Sequence, residues 1–268
     1  MIEFEVNRRQ FKLTPNPYYI ETFALFGSYI NEEYDELSDI DMLIIIEDCS
    51  RQRLLSIKQQ IAKVLHVPMT WLSIYTKSKF SKLCANGDYW CWYLKLYAKI
   101  YYSKTNFIGR AFDSLSPNID VLSHIYENID TIEEEYQYFI NHRTSAVQLM
   151  NLIAHYTRNA CILLCYLNQV VDFKKFSPAK NCCSFPDITM PFTFEEYEKL
   201  YRLKRAYKKD SKNFRLRNEY HYVIWWYERY QELTYIVVDK ANELLQTNFV
   251  SPLISFVANN NVISNLVF

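Results

Sequence analysis

Apolar and polar positions change their rhythm about two fifths of the way along the chain. In the first part, short apolar segments alternate with one amphipathic stretch. Thr22 to Phe26 predicts a strand. Asp41 to Ile46 predicts a second, and its uninterrupted Met-Leu-Ile-Ile-Ile run is the pattern of a strand buried on both faces. Leu54, Ile57, Ile61, Val64 and Leu65 recur at helical spacing, so Arg53 to Leu65 predicts an amphipathic helix. Val67 to Tyr75 predicts a third strand, Phe80 to Trp92 a helical stretch, and Ala98 to Tyr102 an aromatic-rich strand. This alternation predicts a compact mixed domain over residues 1–108.

From about Val121 the period is helical throughout. Tyr136, Phe139, Ile140, Val147, Met150, Ala154, Cys161 and Leu164 fit one long helix, or two in series, between Ile132 and Val171. A loop holding Pro178, Pro186 and Pro191 follows, then a helix from Phe194 to Lys209. A long last helix is expected from Asn213 to Leu245, with Tyr220, Ile224, Tyr227, Val237, Ala241 and Leu244 on its apolar stripe. Residues 115–268 therefore read as an all-α bundle, and the whole chain as α+β.

Composition narrows the class. The chain has 268 residues, half of them hydrophobic and 17% aromatic, enough for a substantial ring-packed core. Its formal net charge is zero, so charge alone selects no nucleic-acid partner. Met1-Ile2-Glu3-Phe4-Glu5 is not a secretory signal, and no apolar run approaches the roughly 20 residues of a bilayer span, so no membrane partner is expected. Seven cysteines without a Cys-x-x-Cys pair point to a reduced, cytoplasmic setting.

The chemistry concentrates in one segment. Gly27-Ser28 follows the first predicted strand, and ten residues separate Ser28 from Asp39-Ile40-Asp41 at the start of the second. Carboxylates at i and i+2 of an extended segment face the same way. At about 4 Å, two such charges repel by about 4 kcal/mol at a surface-like dielectric, a cost that a divalent cation between them removes. Hard oxygen ligands favour Mg²⁺, which also bridges triphosphate oxygens. Glycine lets the backbone approach a phosphate, and its N–H groups with the Ser28 hydroxyl can hold the oxygens.

Phe26-Gly27-Ser28, Ser38-Asp39-Ile40-Asp41 and the apolar run after them resemble the Gly-Ser…Asp-x-Asp branch of the nucleotidyltransferase superfamily. That branch includes minimal nucleotidyltransferases and antibiotic adenylyltransferases. The resemblance spans about residues 20–105. It implies a nucleotidyltransferase-fold N-terminal domain, Gly27 and Ser28 at the phosphates, and Asp39 and Asp41 as catalytic Mg²⁺ ligands. It also implies transfer of a nucleoside monophosphate, AMP from ATP, to a hydroxyl of a small molecule or nucleic acid. The active cleft is then expected between this domain and the helical one. Two positions depart from the pattern. Ile30 and Asn31 stand where an Ala-Arg pair is common, and no acid occurs between Arg51 and Gly87 to supply a third carboxylate. The third predicted strand offers Thr70, Trp71, Leu72 and Ser73 instead. A nucleotide-binding or toxin–antitoxin-type partner protein built on a degenerate form of the same fold is therefore the alternative expectation, and a second copy of the chain is a candidate partner.

The helical half carries weaker signals. Glu127, Asp130, Glu133, Glu134 and Glu135 are candidates for a general base, or form a solvated helix N-terminus. Lys199, Arg202, Arg205, Lys209, Lys212 and their neighbours form a basic cluster suited to phosphates or to solvent. Arg215, Arg217 and His221 resemble the Arg…His motif of HEPN-type ribonuclease domains without matching its spacing and start together. A buried His221 bonded to a nearby phenol is the other reading.

Overall fold

A computed structural model describes residues 1–6, 9–30, 38–142, 146–209, 219–247 and 249–260, with the side chains of 142, 204–209, 219, 259 and 260 left aside. Contacts divide the chain into two units, Met1–Ile119 with Val257–Phe268, and Asp120–Phe256.

In the first unit β1 (Ile2–Val6) and β2 (Arg9–Leu13) pair as an antiparallel hairpin. The alternation Ile2, Phe4, Val6 against Glu3 and Glu5 buries one face of β1. The main sheet has the order β5-β4-β3-β6, formed by β3 (Ile20–Phe26), β4 (Asp41–Ile46), β5 (Leu72–Thr76) and β6 (Lys99–Ser103). It is mixed: β4 runs parallel to β5, and β3 is antiparallel to both β4 and β6. Every residue from Met42 to Ile46 is fully buried, as the unbroken apolar run requires of a central strand.

Helix α1 (Arg51–Leu65) begins at Ser50, whose hydroxyl accepts the Arg53 N–H, and ends at left-handed His66. Its buried Ile57, Ile61, Ala62 and Leu65 join the hairpin and the even-numbered side chains of β4 in one core. The opposite sheet face meets α2 (Lys77–Ala85), α3 (Tyr89–Tyr97) and α4 (Phe107–Asp113). There Phe26, Tyr75, Phe80, Trp90 and Phe112 contact one another edge-on or tilted. The helix expected over Phe80 to Trp92 is two helices. Gly87, at φ +69°, takes the chain out of the helical path at a place where a Cβ would lie 2.2 Å from the Asn118 carbonyl, and the Asp88 carboxylate caps α3 through the Trp90 N–H. The expected strand from Val67 is shortened to Leu72–Thr76, since Pro68 starts a 3₁₀ turn, Met69–Trp71.

Among its described residues the second unit has helices and no strand. α5 (Val121–His142), α6 (Ala146–Leu167), α7 (Ser177–Cys182), α8 (Phe194–Lys209) and α9 (Glu219–Leu245) surround an α6 that is buried along nearly its whole length; α10 (Pro252–Asn260) crosses the boundary between the units. Thr193 and Glu196 close a reciprocal capping box at the start of α8, with hydrogen bonds of 2.7 and 3.3 Å. The buried face of α9 includes Val223, Trp226, Tyr230 and Leu233 with the expected Tyr227, Val237 and Ala241, whereas the expected Tyr220 is exposed. Residues 213–218 of the expected last helix lie outside the described residues. All seven cysteines are free thiols. Cys161, Cys165 and Cys182 are core side chains; hydrogen bonding to Cys182 and then burial raise the Cys165 thiol, while hydrogen bonding to Cys161 and burial raise the Cys182 thiol against a lowering contact from Cys165.

Candidate functional site

β3 ends at Phe26, which is level with Asp41 in the β3–β4 register, and the chain turns at once through Gly27. Gly27 has φ +84°, and the Ile30 N–H returns to its carbonyl at 3.1 Å. An added Cβ on Gly27 would lie 2.1 Å from Asp41 Oδ2. The Asp41 carboxylate thus sits directly against the bare Cα of the turn, a contact open only to glycine. Ile40 and Met42 point into the α1-side core, so the half-buried Asp39 and Asp41 alternate with them and project to the other side. Ser28 is half-buried beside the turn, and Asn31 lies outside the described residues.

Trp71 is the neighbour that sequence reasoning passed over. Its indole Nε1–H donates to Asp39 Oδ1 at 2.7 Å. Trp71 ends the 3₁₀ turn immediately before Leu72, which pairs in parallel with Met42. The partly buried ring packs on the hairpin–α1 core, and the Trp71 backbone N–H donates to the Pro68 carbonyl at 3.1 Å. The segment where a third carboxylate was sought thus contributes a hydrogen-bond donor. A search there for donors aimed at the aspartates, in addition to acids, was the signal that could have found it.

Among the described residues no third carboxylate, histidine or thiol joins Asp39 and Asp41 in a group able to hold a metal. The pair still suits Mg²⁺, which takes one or two protein carboxylates and completes its shell with phosphate oxygens and water. The close seat of Asp41 on Gly27 sets that carboxylate beside backbone a phosphate could approach.

The candidates in the helical unit fare differently. The acidic run lies within α5, well past its first turn, so the N-terminal dipole does not account for it. Glu133 accepts hydrogen bonds from the Tyr227 hydroxyl and, at 2.9 Å, from the Gln137 amide, while Tyr227 stacks on Tyr136 at 3.6 Å. Burial and the Glu133 contact raise the Tyr227 phenol. Glu133 is therefore engaged in joining α5 to α9, while Glu127, Asp130 and Glu134 are exposed. His221 is exposed rather than buried, edge-on to the Tyr220 ring. Arg215, Arg217 and Lys212 lie outside the described residues, as do the side chains of Arg205 and Lys209; Arg202 pairs with Glu198 at 3.6 Å. No helix among the described residues is long and apolar enough to cross a membrane.

Residues 12–86 match the family described as Polymerase beta, Nucleotidyltransferase. A Methanocaldococcus jannaschii protein, provisionally named a protein adenylyltransferase, is 34% identical over 64 residues, 24% of this chain and 65% of the relative. The chain thus spans slightly less than two thirds of that relative's length. Residues 12–86 are thus similar to nucleotidyltransferases by both sequence comparisons. Among solved structures, a spectinomycin adenyltransferase of Enterococcus faecalis, determined with ATP and spectinomycin, is 14% identical. That alignment covers 80% of this chain and 92% of the other, with a TM-score of 0.47. A toxin–antitoxin structure with AMP-PNP, also 14% identical, covers 44% and 87% with a TM-score of 0.27. Neither TM-score reaches 0.5, so the likeness to nucleotidyltransferases rests on the sequence matches over residues 12–86.

Proposed function

We propose that the protein transfers a nucleoside monophosphate, AMP from ATP, to a hydroxyl acceptor and releases pyrophosphate. Asp39 and Asp41 hold Mg²⁺ in this reading, and the Gly27–Ser28 turn holds the phosphates. The observation that carries it is the Asp41 carboxylate seated against the Cα of Gly27, which joins the acidic and phosphate-approach parts in one place. When bound, Mg²⁺ supplies charge neutralisation at the triphosphate oxygens. The protein's own contribution is position: backbone N–H groups and the Ser28 hydroxyl orient the phosphates for in-line attack on the α-phosphorus. Trp71 has a donor and no acceptor, so it cannot take the acceptor's proton.

The test is transfer of α-labelled ATP to a panel of hydroxyl acceptors with Mg²⁺ present. The panel includes protein side chains, because the named Methanocaldococcus jannaschii relative directs attention to them. Asp39→Asn with Asp41→Asn should abolish transfer while leaving the circular dichroism spectrum unchanged. Transfer that survives the double change rules the assignment out.

One observation favours a second reading, a nucleotide-binding protein without turnover: an indole donor stands where a third acid was sought. Calorimetric titration of ATP with Mg²⁺, beside a pyrophosphate assay, separates the two. Tight binding without pyrophosphate release favours the second.

A further inference from the structure

We infer that Trp71 is a positioning residue for Asp39, fixing the rotation of its carboxylate so that the aspartate pair is set for a divalent cation before one arrives. The inference rests on the proposed reading of Asp39 and Asp41 as the ligands. Three observations carry it. The indole N–H meets Oδ1 at 2.7 Å across 32 residues of sequence, so the contact is made by the fold and not by a local turn. Asp39 stands two residues before Asp41, just ahead of the first residue of β4, so the indole reaches the aspartate pair where the chain enters the strand. The indole is itself immobilised by core packing and by the 3₁₀ turn that leads into β5, so it can act as a rigid stop.

The chemistry of the donor sets the role. An indole N–H cannot ligate a cation or accept a proton. It can only take up one carboxylate oxygen, and by doing so it orients the group. Outer partners that orient a metal ligand commonly change affinity by about 10- to 100-fold when removed. A Trp that merely satisfies its own N–H would instead affect stability and leave cation binding alone.

The experiment titrates the full-length protein with Mn²⁺, read by electron paramagnetic resonance, in parallel with urea unfolding. Trp71→Phe keeps a ring and removes the donor. It should weaken Mn²⁺ binding by about 10-fold or more. A lowered unfolding midpoint with unchanged Mn²⁺ affinity overturns the inference. Asp39→Asn with Asp41→Asn serves as the control for the underlying reading. If that pair leaves Mn²⁺ binding intact, the ligand assignment itself fails; if the pair abolishes binding and Trp71→Phe does not weaken it, only the positioning role fails. Should Trp71→Phe not fold, the wild-type indole N–H cross-peaks decide. The peak displaced by Asp39→Asn identifies Trp71, and it should move when Mg²⁺ is added. A peak indifferent to Mg²⁺ overturns the inference.

Discussion

At the scale of single residues, Gly27 carries two constraints at once. Its φ of +84° strains any side chain by about 1–2 kcal/mol. A Cβ there would also press on Asp41 Oδ2 from 2.1 Å, so the carboxylate must turn away. Gly27→Ala should therefore lower stability by about 1–2 kcal/mol in urea and, separately, weaken Mn²⁺ binding. Loss of stability alone would mean that Asp41 rotates without functional consequence. A second test concerns Glu21, fully buried on β3, whose Oε1 accepts both the N–H and the hydroxyl of Thr105. Thr105→Val removes the hydroxyl donor from a buried carboxyl group and should cost about 1.5–3 kcal/mol in equilibrium unfolding. The two kinds of contact differ in how far the sequence showed them. Gly27, Ser28, Asp39 and Asp41 fall within fifteen residues, where turn chemistry and strand period are enough to associate them. Trp71 and Thr105 reach their partners only through strand register and crossover, which residue order does not display.

At the scale of elements, the start of α2 offers a pH test. Asp48 follows β4, and its two oxygens accept the Ser78 hydroxyl and, at 2.9 Å, the Ser78 N–H. These bonds, the hydroxyl first, hold the Asp48 carboxyl below the usual carboxylate range against a small opposing effect of burial. The folded value lies below the unfolded one, so the stabilisation is complete above the ordinary carboxylate pKa and is lost as pH falls through the folded value. Asp48→Asn should then cost less than about 1 kcal/mol at pH 7, as suits an exposed group, and the difference from wild type should vanish in strong acid. Urea unfolding at the two pH values checks it, and a gap that persists in acid would assign the effect to packing. Elements with strong period were legible: Asp41 to Ile46 was delimited to the residue, and α8 matched its expected range. The β1–β2 hairpin was missed although Ile2, Phe4 and Val6 alternate cleanly, because those residues were read only for targeting. The break between α2 and α3 was missed because an apolar period runs through Gly87, whereas its left-handed φ of +69° and the Asp88 cap that starts α3 end one helix and begin another.

At the scale of the whole molecule, the change from strand-and-helix to helix-only is legible because period is additive over long windows. The α+β class follows directly from it. Which face of a long helix is buried is less legible. On α9 the expected Tyr227, Val237 and Ala241 are buried, but Tyr220 is exposed and Trp226, Tyr230 and Leu233 are buried as well, because in an aromatic-rich helix nearly every register offers apolar positions. The chain-wide charge yields the last prediction. Thirty basic and thirty acidic residues cancel at pH 7 when the five histidines are neutral. A molecule with no net charge lacks long-range self-repulsion, so its exposed aromatic rings, Tyr126, Tyr138, Tyr220 and Tyr235 among them, face neighbouring molecules without an electrostatic barrier. Lys63→Glu with Lys79→Glu and Lys82→Glu, at three exposed positions, replaces three positive charges by three negative ones. Light scattering from concentrated protein should therefore be greater for the wild type than for this variant, and the difference should shrink in about 0.5 M salt, where the Debye length falls below about 5 Å. Equal scattering from both proteins in low salt would show that association is governed by local apolar patches and not by the net charge.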